Sequence, residues 1–482
     1  MVFPAAIDSL SDILKRHAWV GELAGVLPLS ALIDFIEIPP KLHMLELTGA
    51  VPLWSWAITP SGSRLLLAKQ EKFASHDCYQ DRFGNTVALE ALDGRYGERY
   101  FASSPETLRL ILRAYPIIGV VNDHVNMAGL DFDLRAQNLE VVHVKRFDPN
   151  VTAHFRPMWR QNLINSWRNA SSLYLFTNFL GWTLLICTLI MSAFFRTWIS
   201  FAFLLLIPVT GIVVYCLHGS QPRRLLVEKE SSYVRLLVVT EHMNSAEWLI
   251  VYGESTLVNS LLNRPLEPNG PSLSPDMAVA LRSLLRVIIL GQWGLALAAA
   301  ATKNWNSYFI CFWIAFSIFS HAFLITPTRG AKDWSKLQAN LKVDRFGIKI
   351  SSRRALINTI VALNPDTFPF NEEDNALDMN AFNREGIKWI DPILTQSEDR
   401  KSWEEATRKA MVEVQEHLAA GDFSMPKFRE HPTNVLSPTW NQEYATFYWK
   451  RFISEGIYVS AKIKQAAKLP ERKLDEIASV RK

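Results

Sequence analysis

Hydrophobic and polar positions are unevenly distributed along the chain. From Leu173 to Leu217 nearly every residue is apolar and the only formal charge is Arg196. A bilayer core about 30 Å thick is crossed by about 20 helical residues, so this block is roughly two crossings long. It predicts spans at Leu173–Phe194 and Trp198–Leu217, turning at Phe195–Thr197. Val287–Ile325 repeats the design with Lys303 as its lone formal charge. Here the expected spans are Leu284–Ala301 and Tyr308–Ile325, joined by the polar run TKNWN. Trp198, Tyr174, Trp305 and Tyr308 stand where interfacial aromatics belong.

Outside these blocks the pattern changes to alternation and short amphipathic runs. Asp93-Gly94 lies between two strand-like stretches, a hairpin signal. Ser104-Pro105-Glu106 opens a helix as cap, first helical position and acidic first turn. LEVVHVKRF reads as a strand, as do YVRLLVVTEH and EWLIVYGE, the last followed by a helix that stops at Pro265. After the fourth span a strand is expected at Gly347–Ile350, then a helix capped by Ser351 or Ser352 that ends before Pro365. Ser402 and Glu405 form a capping-box pattern for a late helix, with Trp403, Ala406, Ala410, Met411, Val414 and Leu418 on one face. The expected fold is a polytopic α-helical membrane protein, four transmembrane helices in two hairpins, with mixed α/β cytosolic regions. Its parts are an N-terminal α/β domain (1–150), a linker (151–172), hairpin one (173–217), a β-β-α segment (218–283), hairpin two (284–325) and a mainly helical C-terminal region (326–482).

Charge sets the expected orientation. Arg156, Arg160, Arg168, Arg223, Arg224, Lys229, Arg282, Arg286, Arg329, Lys332, Lys336 and Lys342 flank the span ends away from the tips, and each tip holds one cation. By the positive-inside rule both termini and the middle loop are expected in the cytosol. The sequons at Asn150 and Asn169 then face the cytosol and are expected to carry no glycan. The N-terminal residues lack a basic leader with a sustained apolar core, so no cleavable signal peptide is expected.

Composition removes several function classes. Of 482 residues 49% are hydrophobic and 20% charged, and the formal net charge of +4 gives no basis for nucleic-acid binding. The cysteines, Cys78, Cys187, Cys216 and Cys311, lack metal-ligand or disulfide-framework spacing. No catalytic, cofactor or metal-binding motif emerges. Asp131 and Asp133 resemble the metal-binding pair of some nucleotide-sugar glycosyltransferases, but solvated carboxylates alternating with Leu130, Phe132 and Leu134 is the plainer reading. Gly253 ahead of a helix N-terminus has phosphate-binding geometry, yet Glu254 beside it would repel an anion.

Two groups of candidate contacts remain. Arg353 and Arg354 sit in a helical first turn, where cations oppose the helix dipole. An anion or lipid headgroup bridging Ser351, Ser352, Arg353 and Arg354 would remove that conflict; the plainer reading is a solvated basic face. Within the spans, Gln292 and His321 lie at similar depth and are candidates for an intramembrane polar contact.

The run YGESTLVNSLLNRPLEP, with the apolar block Val287–Ile325 that follows it, resembles a group of uncharacterised multi-pass membrane proteins of filamentous fungi. The resemblance extends over Val234 to Trp334 and implies four membrane helices. It brings no catalytic residues. The function expected is that of a non-enzymatic scaffold or accessory protein, partnered by cytosolic proteins, the bilayer with its anionic lipids, and further copies of itself. A transporter or channel-like subunit is the alternative, and a membrane-bound enzyme of glycosyltransferase type the next.

Overall fold

The computed structural model describes residues 12, 16–30, 38–58, 66, 87–123, 136–147, 172–226, 231, 233–268, 273–371, 376–419, 436–444 and 451–469. Asp131, Asp133, Cys78 and both sequons lie outside them.

A seven-stranded mixed sheet organises the polar part of the chain. Its strands are β1 (Glu90–Asp93), β2 (Arg99–Phe101), β3 (Ile117–Gly119), β4 (Gln137–Arg146), β5 (Val234–Thr240), β6 (Glu247–Glu254) and β7 (Leu341–Ile350), in the spatial order β2-β1-β5-β6-β4-β7-β3. β4 pairs with β6 in parallel and with β7 antiparallel, and β5–β6 is an antiparallel pair. The expected hairpin at Asp93-Gly94 is β1–β2.

Alternation along the strands gives the sheet two buried faces. Val142, Val144, Leu237, Val239 and Val251 enter one core. Leu139, Val141, Leu236, Val238 and Ile250 enter the other. The first core is closed by α3 (Pro105–Ala114), α6 (Ser255–Leu262) and α9 (Pro327–Leu337), and continues into the long helices. The second is closed by α10 (Arg353–Leu363), α11 (Glu398–Ala419) and α12 (Arg451–Ala467). Trp403, Ala406, Ala410 and Val414 of α11 are buried in this core, so the apolar stripe finds its partner within the chain.

Two boundaries differ from expectation. Helix α11 begins at Glu398 because Ser397 Oγ accepts from Arg400 N at 3.1 Å, which places Ser402 inside the helix. The strand expected at Gly347–Ile350 is the last part of β7, whose polar side chains Lys342 and Asp344 interrupt the apolar pattern.

Four helices among the described residues are long and apolar enough to cross a membrane. They are α4 (Ser172–Phe194), α5 (Trp198–Val214, continued by a π-turn to Gly219), α7 (Pro275–Thr302) and α8 (Trp305–Phe319, continued by a π-turn to Leu324). Arg196 and Lys303, the lone charges of the two blocks, are the residues at which α4 and α7 end, both with left-handed backbones (φ 54° and 49°). Helix α7 starts at Pro275, well before the expected Leu284, under a Ser274 cap. Its 28 residues extend about 42 Å, more than a hydrocarbon core requires. Arg282 and Arg286 lie exposed on that extension.

The connections carry the main geometric consequence. The chain leaves β4 at Arg146 for the first helical pair and re-enters the sheet at Val234. It leaves β6 at Glu254 for the second pair and re-enters at Leu341. The registers Arg146↔Leu341, Val144↔Gly253 and Val234↔Glu254 put all four points at one end of the sheet.

The described parts of residues 1–150 contribute to two places in the fold. Strands come from residues 90–146, whereas α1 (Ala18–Ser30), α2 (Ile38–Thr48) and the 3-10 turn Leu53–Ser55 pack among the long helices.

Candidate functional site

A buried polar constellation lies where the N-terminal segment enters the helical bundle. Its centre is Gln292 on α7, which is fully buried. The Gln292 amide donates to Thr210 Oγ1 on α5 at 2.7 Å and to the Trp56 carbonyl at 3.3 Å. Its oxygen accepts from Ile58 N at 3.0 Å. One side chain therefore ties α5 and α7 to an irregular stretch of backbone whose polar groups would otherwise be unpaired in an apolar surrounding.

That stretch, Val51–Ile58, touches all four long helices. Trp54 Nε1 donates to Asn178 Oδ1 on α4 at 3.2 Å, and the Trp54 carbonyl accepts from Trp313 Nε1 on α8 at 3.2 Å. The ring stacks tilted on Phe316, with centroids 5.4 Å apart. Two glycines make room for it. A Cβ at Gly181 would lie 2.0 Å from the Trp54 ring, and one at Gly211 would lie 2.5 Å from the Leu53 carbonyl.

Beneath this insert lies Lys41 of α2, only 4% exposed. Its ammonium donates to the Ser55 carbonyl and lies 4.1 Å from the centroid of the Trp56 ring. Among the described residues it has no carboxylate partner. Among the described residues His321 Nε2 has no hydrogen-bond partner. The structure thus does not join Gln292 to His321: the amide is occupied by Thr210, Trp56 and Ile58.

Closer to the sheet, His43 Nε2 lies 3.2 Å from Thr107 Oγ1 of α3. Glu46 lies 3.9 Å from both Arg223 and His218, and the Arg223 carbonyl accepts from Trp334 Nε1 of α9 at 2.7 Å. The seam from Thr107 through Glu46 and Lys41 to Gln292 joins the sheet to the middle of the bundle. Its pattern was hidden in sequence because Lys41, His43 and Glu46 are scattered charges in a short amphipathic run, with no spacing that marks a site.

The other candidates fall into place as internal contacts. Ser351 N and Ser351 Oγ both donate to the Glu455 carboxylate of α12, and Asn122 Nδ2 donates to it at 2.8 Å. An internal anion therefore already sits beside the start of α10, where Ser352 Oγ accepts from Ala355 N. Arg353 reaches Asn244 Oδ1 at 3.1 Å and lies over the Trp248 ring, and Arg354 is exposed. All four residues lie at the far end of β7 from Leu341, roughly 30 Å away along the strand, so they are remote from the long helices. The basic surface nearest those helices is instead α9, where Arg329, Lys332 and Lys336 are exposed on one face. At Gly253–Glu254 the anion position is likewise taken from within. Arg146 binds the Glu254 carboxylate through two 2.7 Å hydrogen bonds, and Ser231 N donates to it at 2.9 Å.

Among the described residues no cluster of metal-ligating side chains occurs. No family model, curated protein or solved structure matches the chain.

Proposed function

We propose that this chain is a polytopic membrane protein that works as a non-enzymatic scaffold or accessory subunit, with its sheet-bearing mass in the cytosol. Membrane insertion is supported by the four long apolar helices and by the exposed apolar side chains along them, including Phe179, Val287, Leu290 and Phe323. The sheet supports this sidedness. Its strands come from before, between and after the two helical pairs, and all four connections leave from one end. A single sheet cannot be divided by a bilayer, so each pair must go out and return. Exposed Arg282, Arg286, Arg329, Lys332 and Lys336 cluster near that end, which supports a cytosolic side for it by the positive-inside rule. The stripe on α9 is suited to anionic headgroups.

The observation that carries the scaffold reading is the use of Gln292. The most buried amide of the bundle holds the chain's own backbone rather than facing a path. Edge strand β3 supplies a surface for a partner: Ile117 and Ile118 are about half exposed, and among the described residues no strand pairs with its outer side. Such an edge is a template for strand addition. One observation favours the transporter alternative, namely Lys41, a buried amine with no carboxylate partner among the described residues.

The test compares the full chain with its Ile118→Lys variant, purified in mild detergent, and follows co-purifying proteins and solute flux in reconstituted vesicles. The scaffold reading expects a stoichiometric partner that Ile118→Lys releases without lowering the melting temperature. Flux abolished by Lys41→Met, with no partner retained, would replace it by the transporter reading.

A further inference from the structure

We infer that residues 18–48 cross the membrane as a fifth, broken span, so that the N-terminal end lies on the opposite side from the sheet. This rests on the membrane reading above and changes its expectation that both termini share one side. The evidence is where each part of the segment is seated along the long helices.

Helix α1 begins at the turn between α7 and α8. Tyr308 Oη donates to the Val20 carbonyl at 2.8 Å, and Glu22 pairs with Lys303 at 2.8 Å. Further along, a Cβ at Gly25 would lie 3.2 Å from the Lys303 side chain and 3.6 Å from the Ala300 carbonyl. The helix therefore runs from the turn inwards along α7. Helix α2 is seated at the opposite end of the same bundle. Leu45 lies against Gly219, the last residue of the second long helix, and Met44 lies against Gly330 in α9. His43 contacts Thr107 in α3, a helix of the sheet layer.

Between Val20 and Leu45 the chain has passed from one end of α8 to the other. Trp305–Leu324 comprises 20 residues, about 30 Å, which is the thickness of a hydrocarbon core. After Gly49 the chain turns back into the bundle, reaches Gln292, and forms a re-entrant stretch of the kind tolerated at membrane depth only when buried in protein.

Hydropathy misses this span because Glu22, Asp34, Glu37, Lys41 and Glu46 interrupt it, and Pro28, Pro39 and Pro40 break its helical pattern. Three of those charges are compensated internally: Glu22 by Lys303, Lys41 by the Ser55 carbonyl and Trp56, and Glu46 by Arg223 beside His218. Residues 1–17 carry only Lys15 and Arg16 as lysine or arginine, fewer than the exposed cations Arg282, Arg286, Arg329, Lys332 and Lys336 at the sheet end, so the larger Lys/Arg bias stays on the side of the sheet.

The experiment uses the full chain with its native cysteines replaced, in sealed vesicles of known orientation, and a membrane-impermeant maleimide. Single cysteines are placed at exposed positions by Trp19→Cys, Arg196→Cys and His242→Cys. The expected result is that position 19 reacts from the same side as position 196, and position 242 only from the other. Reaction of 19 from the side of 242, with 196 opposite, overturns the fifth span and leaves the paired spans standing. Reaction of 196 and 242 from one side removes the membrane reading itself. An epitope tag at the N-terminal end, probed with antibody before and after permeabilisation, gives the sidedness independently should Trp19→Cys prove unreactive.

Discussion

Gln292 and Thr210 stand on helices of different pairs and share a 2.7 Å hydrogen bond, while the same Gln292 amide holds the backbone of Trp56 and Ile58. Replacing Gln292 by leucine keeps the apolar volume but leaves Ile58 N and the Trp56 carbonyl without that partner. Each buried polar group left unpaired costs about 1–3 kcal/mol, so Gln292→Leu is expected to destabilise by roughly 2–4 kcal/mol. Thermal unfolding in detergent measures it. A change below about 0.5 kcal/mol, the range of neutral surface substitutions, would mean that the clamp is not what holds the insert.

Gly181 and Trp54 are coupled by contact. A Cβ at Gly181 would lie 2.0 Å from the indole, and overpacking of this kind costs typically 1–3 kcal/mol. Gly181→Ala should therefore destabilise the wild-type chain yet be nearly silent in a Trp54→Ala background. A double-mutant cycle reads the coupling, expected at about 1 kcal/mol or more. Additive effects would show that the insert does not pack on α4.

Arg196 ends α4 with a left-handed backbone, a conformation that costs an L-residue roughly 1–2 kcal/mol and glycine little. After the entropic penalty of glycine, about 0.5–1 kcal/mol, Arg196→Gly should stabilise the chain by some tenths to 1 kcal/mol. Lys303 adopts the same conformation (φ 49°), but Lys303→Gly also removes the ion pair with Glu22 and should gain less. The comparison of the two melting temperatures checks both statements.

The long helices are legible because long apolar runs broken only by Arg196 and Lys303 leave few alternatives to long apolar helices. The turns at Arg196 and Lys303 followed from the same pattern, and the strands from alternation. The insert could not be read in the same way. Trp54, Trp56 and Lys41 acquire their roles only from Gln292, Trp313 and Gly181, which lie far away in the chain. The basic turn Ser351–Arg354 reads from sequence as a solvated basic face or an external anion site, since nothing in sequence places Glu455 beside Ser351. Non-local pairing of this kind leaves no local periodicity to detect.

Glu455 gives that point a measurable form. It is 4% exposed and accepts from Ser351 N, Ser351 Oγ and Asn122 Nδ2. Glu455→Ala leaves these donors without a carboxylate and should cost about 2–4 kcal/mol. Glu455→Gln, which keeps an acceptor, should cost less. Inorganic phosphate should raise the melting temperature of Glu455→Ala but not of the wild-type chain, because only the variant exposes an unfilled anion position. Equal responses of the two would show that Glu455 does not fill it.

His143 in β4 supplies the pH dependence. It is 1% exposed, lies 3.2 Å from the Ala467 carbonyl through Nδ1, and meets Tyr252 edge-on. Burial, reinforced by the nearby Lys145 charge, pushes its pKa down to about 4, against smaller raising effects of the Ala467 carbonyl and Asp344. The folded chain therefore keeps a neutral ring over a range in which the unfolded chain is protonated. Between pH 6.5 and 4 the unfolded state binds more protons, so stability rises with pH there and is lost as pH falls. The contribution of this residue is fully present above pH 6.5, and its loss by pH 4 is on the order of 3 kcal/mol. Measured in detergent across that window, His143→Gln should flatten the acid limb of the stability curve relative to the wild-type chain. An unchanged slope would assign the acid sensitivity to carboxylates such as Glu254. Glu254 is itself destabilised by burial but held below the usual carboxylate range by hydrogen bonds from Arg146, Thr256 and Ser231, and its contribution is also lost on acidification, at lower pH.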